Sequence, residues 1–222
     1  MNITILTLFS DAFSGFFGSS IMARAIKNGL VTVTAVNIRD FANDKHATVD
    51  DKPYGGGVGM VLKVDVVKRA LDELKTSQSK VILLTPQGTT FTQKEAMNLS
   101  EEENIILICG HYEGFDERIR DFVHQELSIG DYILTGGEIP AAVVIDAVVR
   151  LLPGVLGKDR SSEDESFSTG LLEYPQYTKP VEFEGKLVPK ILLSGDHAKI
   201  SAWRQEQALS RTKIRRPDLL KK

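Results

Sequence analysis

The sequence has 222 residues, of which 42% are hydrophobic and 26% are charged. This length and composition are typical of a soluble globular protein with one domain, or with one domain and a small appendage. A single cysteine, Cys109, excludes an intramolecular disulfide. No apolar run approaches the roughly 20 residues that a membrane-spanning helix needs. No basic region followed by an apolar segment opens the chain, so the sequence predicts a cytoplasmic protein without membrane attachment.

Predicted strands alternate with predicted helices along the first two thirds of the chain. They are, in order, a strand at 2–9, a helix that ends at 28–29, a strand at 31–38, a long loop at 39–60 and a helix at 64–74. A strand at 81–84, a helix at 92–100, a strand at 105–109, a helix around 116–123, a strand at 127–129 and an apolar helix at 139–152 follow. This alternation predicts an α/β fold, with a mostly parallel sheet and helices on both faces.

The sequence changes character after residue 157. Residues 158–170 are polar and acidic and predict a flexible linker between a domain at 1–157 and a small helical domain at 171–222, with a helix at 196–210. Residues 171–222 hold 11 Lys and Arg against 6 Asp and Glu, whereas residues 1–170 hold 16 against 24. A basic tail on an acidic body indicates a nucleic-acid partner, and a solvated helical face is the alternative; charge alone does not choose between them.

Three loops that contain glycine each follow an apolar strand. They begin at Pro86, Gly110 and Ile129. Ligands of open α/β sheets bind beyond the carboxyl ends of the strands, so the three loops predict one shared pocket with an exposed backbone. The alternative is that each loop is only a tight turn between a strand and a helix.

Other motifs in the sequence indicate a function less directly. The run from Gly55 to Gly59 lacks the strand and helix of a dinucleotide fingerprint, and the chain contains no P-loop, so close backbone approach is the better interpretation. The four histidines have no metal-ligand spacing. Arg150 ends the apolar helix, where a cation complements the helix dipole; the functional alternative is an anion stabiliser that faces the pocket.

The sequence closely resembles bacterial tRNA (guanine-N1)-methyltransferases of the SPOUT class. The resemblance runs from residue 1 almost to the end and is carried by residues 49–60, 109–118, 128–132, 152–157, 170–180 and 192–198. It implies a sheet closed by a deep trefoil knot and a homodimer with both active sites at the interface. It also implies a tRNA partner, bound at the anticodon stem-loop and methylated at N1 of guanosine 37, beside the anticodon. Residues 171–222 would then form a tRNA-binding domain, with Arg211, Lys213, Arg215 and Arg216 of the basic tail in contact with tRNA phosphates.

The same resemblance implies which residues bind S-adenosylmethionine, the methyl donor. These are Leu84, Thr85, Pro86, Gly110, Tyr112, Glu113, Ile129, Gly130, Asp131, Tyr132, Ile133, Leu134, Gly136, Gly137 and Pro140. Members of the family also depend on Mg²⁺, for which this sequence identifies no dedicated cage.

The family's presumed general base is the aspartate of a Glu-Asp-Ser-Phe stretch. This sequence has the order Asp164, Glu165, Ser166, Phe167, so the matching position holds Glu165. We favour Glu165 because Ser166 and Phe167 keep their register, and Asp164 is the alternative. Negative charge that develops on the guanine O6 would be stabilised by Arg150.

Two rival functions remain open from the sequence. One is a SPOUT enzyme that methylates another RNA base, and the other is an RNA-binding module without enzymatic activity. The second rival predicts no binding of the methyl donor.

Overall fold

A computed structural model describes residues 1–156 and 165–221. The chain divides into two compact units, Met1–Gly157 and Lys158–Lys222, called here the N-terminal unit and the C-terminal unit. Within the described residues, no helix is long and apolar enough to cross a membrane.

The N-terminal unit alternates strands and helices, as the sequence predicts. Its strands are β1 (Asn2–Thr7), β2 (Thr32–Asn37), β3 (Asp50–Asp51), β4 (Val61–Leu62), β5 (Ser79–Thr90), β6 (Asn104–Cys109) and β7 (Gln125–Ser128). Its α-helices are α1 (Ser14–Phe17), α2 (Ser20–Lys27), α3 (Val64–Leu74), α4 (Gln93–Ser100) and α5 (Glu138–Val149).

Five strands form the central sheet in the order β2-β1-β6-β5-β7, and every neighbouring pair is parallel. Alternate residues of each strand enter different cores. Ile105 and Leu107 belong to a core with residues of α2, α4 and α5, whereas Ile106 and Ile108 belong to a core with residues of α3. Helices therefore cover both faces of a parallel sheet, which confirms the predicted α/β class.

Two regions of the N-terminal unit differ in type of secondary structure from the prediction. The predicted helix around 116–123 is a 3-10 helix, Glu117–Phe122, that begins at Asp116, whose side chain accepts a hydrogen bond from the Arg118 N–H. The predicted loop at 39–60 contains a short 3-10 helix, Ile38–Phe41, and the strand β3, which pairs antiparallel with β4. Neither difference alters the central sheet.

The C-terminal unit contains the hairpin β8 (Glu182–Phe183) and β9 (Lys186–Leu187), two 3-10 helices (Lys190–Leu193 and Pro217–Leu220) and the helix α6 (His197–Arg215). The hairpin was not predicted, because strands of two residues leave no periodic pattern. Helix α6 extends beyond the predicted end at residue 210. It begins after Asp196, whose side chain accepts a hydrogen bond from the Lys199 N–H at 3.1 Å.

Candidate active site

The three glycine loops meet at one edge of the sheet, where β5, β6 and β7 reach their carboxyl ends. This follows from the parallel pairing of β5 with both β6 and β7. The loops surround a cavity of about 550 Å³, within the range of roughly 300–1,000 Å³ that small-molecule sites occupy.

The first loop is a bulge inside a strand. Strand β5 was predicted to end at residue 84 but continues to Thr90, and Leu127 of β7 pairs with both Leu84 and Thr89, so residues 85–88 leave the ladder. A Cβ atom at Gly88 would lie 2.5 Å from the Leu127 nitrogen. Glycine is therefore required for the bulge to lie against β7.

The second loop follows β6 and is tied to strand β4. The N–H of Leu62 donates to the carbonyl oxygen of Gly114 at 3.0 Å, and the N–H of Glu113 donates to that of Met60 at 3.0 Å. Tyr112 has a φ of 60°, a left-handed conformation that is uncommon for a bulky residue. The hydrogen bonds on either side hold this loop over the cavity.

The third loop connects β7 with α5. The side chain of Ser128 accepts a hydrogen bond from the Gly130 N–H at 3.2 Å, and the Tyr132 hydroxyl donates to the Ile129 carbonyl at 3.2 Å. At the end of the loop, the Gly137 N–H donates to the Gly110 carbonyl at 2.8 Å. The second and third loops are thus joined directly, and α5 begins at the cavity.

Fourteen of the fifteen residues that the family resemblance assigns to the methyl donor line this cavity. They are Leu84, Thr85, Pro86, Gly110, Tyr112, Glu113, Ile129, Gly130, Tyr132, Ile133, Leu134, Gly136, Gly137 and Pro140. The exception is Asp131, which is exposed and is not among the lining residues. The resemblance therefore selected residues from three separate loops that the fold brings together.

Several lining residues lie outside the set assigned to the methyl donor, including Gln87 and His111 of the glycine loops and also Asp116, Glu117 and Arg120. Arg120 forms ion pairs with Glu117 and Glu126 and a hydrogen bond with Gln87. This network joins the bulge, the 3-10 helix and β7. Only the position of these residues after apolar strands signals them in the sequence.

Asp116 is ionised more readily than an ordinary aspartate. The guanidinium of Arg118 donates to its carboxylate at 2.7 Å and 2.9 Å, and this pairing lowers the pKa of Asp116. The cavity rim is therefore charged through the physiological pH range.

Buried polar groups lie behind the cavity. The Thr7 hydroxyl donates to the Glu138 carboxylate at 2.6 Å and accepts from the Phe9 N–H at 3.0 Å, which joins β1 to the start of α5. The Nδ1 atom of His111 is buried and has no protein partner within the described part of the chain. Burial, assisted by the nearby Glu138 carboxylate, raises the pKa of the Cys109 thiol, as expected of a core cysteine.

Arg150 lies at the far end of α5 from the cavity. Its N–H donates to the Asp146 carbonyl at 3.2 Å, and its side chain does not line the cavity of its own chain. The twelve residues of α5 span about 18 Å. Of the other two predicted catalytic residues, Glu165 opens the described part of the C-terminal unit, and Asp164 lies outside the described residues.

No group of three or more His, Cys, Asp or Glu side chains that could hold a metal ion occurs in residues 1–156 or 165–221. These residues therefore contain no dedicated cage for the predicted Mg²⁺.

The fold and the cavity define an α/β protein with a cavity of small-molecule size at the carboxyl edge of a parallel sheet, on loops without a P-loop or a dinucleotide fingerprint. The family model described as tRNA (Guanine-1)-methyltransferase TrmD matches residues 1–222, and the chain belongs to this family.

Similar proteins from several bacteria match over the full length of the chain. A tRNA (guanine-N(1)-)-methyltransferase of Staphylococcus carnosus is 57% identical, and the match covers 100% of this chain and 91% of that relative. Proteins of the same name from Dictyoglomus turgidum and Shouchella clausii are each 55% identical; 100% of this chain is covered in both, with 91% and 92% of the relatives.

Proposed function

We propose that this protein transfers a methyl group from S-adenosylmethionine to N1 of guanosine 37 in tRNA, beside the anticodon, and thereby helps to maintain the reading frame. The observation that carries the proposal is the cavity at the carboxyl edge of the sheet, whose lining contains fourteen of the fifteen residues expected to bind the donor. The proposed substrate is taken from the family to which the chain belongs.

The lining residues fit such a donor. A Cβ atom at Gly137 would lie 2.5 Å from the Cα atom of Cys109, so the main chain itself forms this wall of the cavity. Exposed main-chain N–H and C=O groups suit the polar edges of an adenine and a ribose, and Leu84, Ile129 and Pro140 supply apolar surface. Bound here, S-adenosylmethionine supplies an electrophilic methyl group on a sulfonium.

A second copy of the chain completes the site in our proposal. Ile139 and Val143 are 62% and 42% exposed on an α5 helix that is otherwise largely buried. Positions 139, 143 and 150 fall on one face of a helix with 3.6 residues per turn. The exposed Asp146 lies on the same face. If this face pairs with the same face of another copy through Ile139 and Val143, Arg150 is carried towards the partner's cavity. This supports a homodimer with active sites at its interface.

The proposed chemistry uses two side chains of this protein. Guanine N1 holds its proton at neutral pH, so a base must remove that proton before the nitrogen lone pair can accept a methyl group. Glu165 is the proposed base, and Asp164 is the alternative. Arg150 stabilises the negative charge that develops on O6. The described residues contain no dedicated cage for Mg²⁺, and no step of this mechanism passes through the metal.

We also infer that the chain is knotted around the cavity. After β7, at the edge of the sheet, the chain returns to the central strands, where Gly137 bonds to Gly110 and Glu138 to Thr7. The loop after β6 is closed on its outer side by the bond between Gly114 and Leu62. A segment that returns beneath a loop closed in this way supports the trefoil knot of the SPOUT class.

The decisive test uses transcripts of one tRNA with guanosine or adenosine at position 37 and a labelled methyl donor. We expect label only in the guanosine transcript, at N1. Label at another base would assign the chain to a different methylation, and an absence of both donor binding and label would leave a nonenzymatic RNA-binding module.

Variants of the two catalytic candidates sharpen the same test. We expect Glu165→Gln to lower single-turnover methylation about 10²–10⁴-fold and Arg150→Ala about 10²–10³-fold. Calorimetry should show nearly unchanged donor affinity for both variants. Asp164→Asn serves as the matched control and should have a milder effect; if it alone abolishes methylation, Asp164 is the base.

A further inference from the structure

One face of helix α6 concentrates positive charge. Arg204, Arg211 and Arg215 are spaced by seven and four residues, so they lie on one face of the helix. Lys213 occupies the opposite face, because it is nine residues from Arg204. The basic residues of this helix are therefore divided between two faces, although the sequence reads as one basic tail.

A cleft of about 400 Å³ opens beside this face, between α6 and the segment that leads from Ser166 to Gln176. It is lined by Ser166, Leu172, Glu173, Tyr174, Gln176, Arg211 and Arg215. All of these residues belong to the C-terminal unit.

Hydrogen bonds hold the walls of the cleft in place. The Leu172 N–H donates to the buried Thr212 hydroxyl at 2.9 Å, and the Glu173 N–H donates to the Ser166 hydroxyl at 3.0 Å. The Arg211 guanidinium donates to the Glu173 carbonyl at 3.3 Å. The cleft is therefore formed before any ligand arrives, which lowers the entropic cost of binding.

The guanidinium groups at the cleft retain free donors. The Arg211 side chain uses one donor on the Glu173 carbonyl, and the Arg215 side chain forms no hydrogen bond or ion pair with any residue of 165–221. The Glu173 carboxylate also lies in the cleft, but it accepts a hydrogen bond from the Gln176 amide at 2.5 Å. Two arginine side chains thus lie in the cleft with one carboxylate, which already accepts a hydrogen bond.

The other arginines at this end of the unit contact neighbouring side chains. Arg216 forms an ion pair with Asp218 at 2.7 Å, and its guanidinium lies 5.7 Å from the centre of the Phe167 ring. Arg204 stacks on Tyr174, with 4.6 Å between the guanidinium carbon and the ring centre, and its buried Nε atom has no hydrogen-bond partner among the described residues. Arg211 and Arg215 are the two arginines that line the cleft.

We propose that this cleft binds one backbone phosphate of the RNA substrate, gripped by Arg211 and Arg215. Guanidinium groups match phosphate oxygens with paired hydrogen bonds, and an anion between two arginines gains charge-assisted bonds that a lone surface lysine does not provide. The inference rests on the proposed function and adds the position of one phosphate to it. Because Ser166 forms a wall of the cleft, the phosphate would lie next in the chain to the candidate base Glu165.

The test compares Arg215→Gln with Lys213→Gln, which removes the same charge from the opposite face of the same helix turn. We expect Arg215→Gln to weaken tRNA binding about tenfold and to reduce the slope of log K against log salt by about 1. Lys213→Gln should change both quantities much less, and both variants should bind the methyl donor like the wild type. Equal losses in the two variants would overturn the cleft as a specific site.

A second measurement locates the phosphate. Anticodon stem-loops with a single neutral methylphosphonate at each backbone position are titrated against the wild type and Arg215→Gln. At one backbone position, the loss of affinity caused by the methylphosphonate and the loss caused by Arg215→Gln should not be additive, because either change alone breaks the same charge pair. Additive losses at every position would refute the proposal. A wild type that binds tRNA but does not methylate the guanosine transcript would instead refute the proposed function and leave this result intact.

Discussion

The two units of the molecule are stabilised in different ways. Every buried hydrophobic side chain of the described residues lies in the N-terminal unit, between Ile3 and Val155, whereas Thr212 is the one buried residue in 165–221. The N-terminal unit has a core on each face of its sheet, and the C-terminal unit is organised mainly by hydrogen bonds and stacked arginines.

This difference matches the task that we propose for each unit. A cavity that must position a reactive small molecule benefits from rigid walls, and close-packed cores resist deformation. A surface that binds a polyanion gains little from an apolar core and much from exposed guanidinium groups. Regions with few buried apolar contacts also open locally at lower free energy, so mutations in the two units should have separable consequences.

The largest effect is expected from Gly137→Ala in the N-terminal unit. The new methyl group would lie 2.5 Å from the Cys109 Cα and 2.7 Å from the Gly110 nitrogen, which are main-chain atoms of a central strand and its loop. We expect the free energy of unfolding to fall by about 3 kcal/mol or more, with loss of donor binding. Thermal melting and calorimetry measure both.

Cys109 provides an internal probe of this change. Its thiol is buried and its pKa is raised, so alkylation in the native protein should be slow and should accelerate in Gly137→Ala. Gly15→Ala is the matched control, since its added methyl group would meet no atom within 4 Å. Equal melting temperatures of Gly137→Ala and Gly15→Ala would show that the walls of the cavity move to accommodate the added methyl group.

A smaller, local effect is expected from Thr212→Val in the C-terminal unit. The Thr212 hydroxyl donates to the Ala208 carbonyl at 2.7 Å and accepts from the Leu172 N–H, which would lose its partner. We expect the C-terminal unit to lose about 1–3 kcal/mol of local stability. Hydrogen exchange should show faster exchange in residues 165–221 and none of this change in the sheet.

Ser210→Ala is the control for that measurement, because Ser210 is exposed on the same helix. If Thr212→Val also loosened β1 and β6, or accelerated alkylation of Cys109, the two units would unfold as one cooperative body. The contrast in their cores would then have no consequence for stability.

The same contrast explains what could be predicted from the sequence. Continuous apolar strands such as β6 and the helical spacing of α3 predict a parallel sheet because burial imposes those periods. Strand β5 was predicted too short, since Pro86 and Gly88 mark a break, and the pairing with β7 that carries the strand past them is a long-range contact. The C-terminal unit has no apolar core to impose a pattern, so its hairpin was missed.

Some features of the candidate site could also be predicted from the sequence, and others could not. The three glycine loops were predicted to share a pocket because parallel strands end at one edge of a sheet. The donor residues themselves required the family resemblance. The Arg120 network and the cleft beside α6 could not be predicted, because both depend on which distant segments the fold brings together. The sequence indicates Arg211 and Arg215 only as members of a basic tail that also holds Lys213 and Arg216.

The smallest effect is expected from Asp196→Asn at the start of α6. The neighbouring Lys199 lowers the pKa of Asp196, so the carboxylate stabilises the folded helix above its unfolded pKa of about 3.9, and this contribution disappears as the pH falls through the lower folded value. Asparagine retains an oxygen that can cap the helix. In Asp196→Asn we therefore expect the α6 amides to be protected from hydrogen exchange almost as in the wild type at neutral pH. On acidification, the variant should lose less of this protection than the wild type.

Asp218→Asn is the natural comparison, since Asp218 also has a lowered pKa but pairs with Arg216 beyond the other end of the helix. If acid sensitivity in α6 arises at its capped start, Asp196→Asn should reduce the loss of protection in the first turn, and Asp218→Asn should leave that turn unchanged. Equal effects of the two variants would mean that the net charge of the C-terminal unit determines its stability to acid. The hydrogen bonds that distinguish this unit from the N-terminal unit would then contribute less than the net charge.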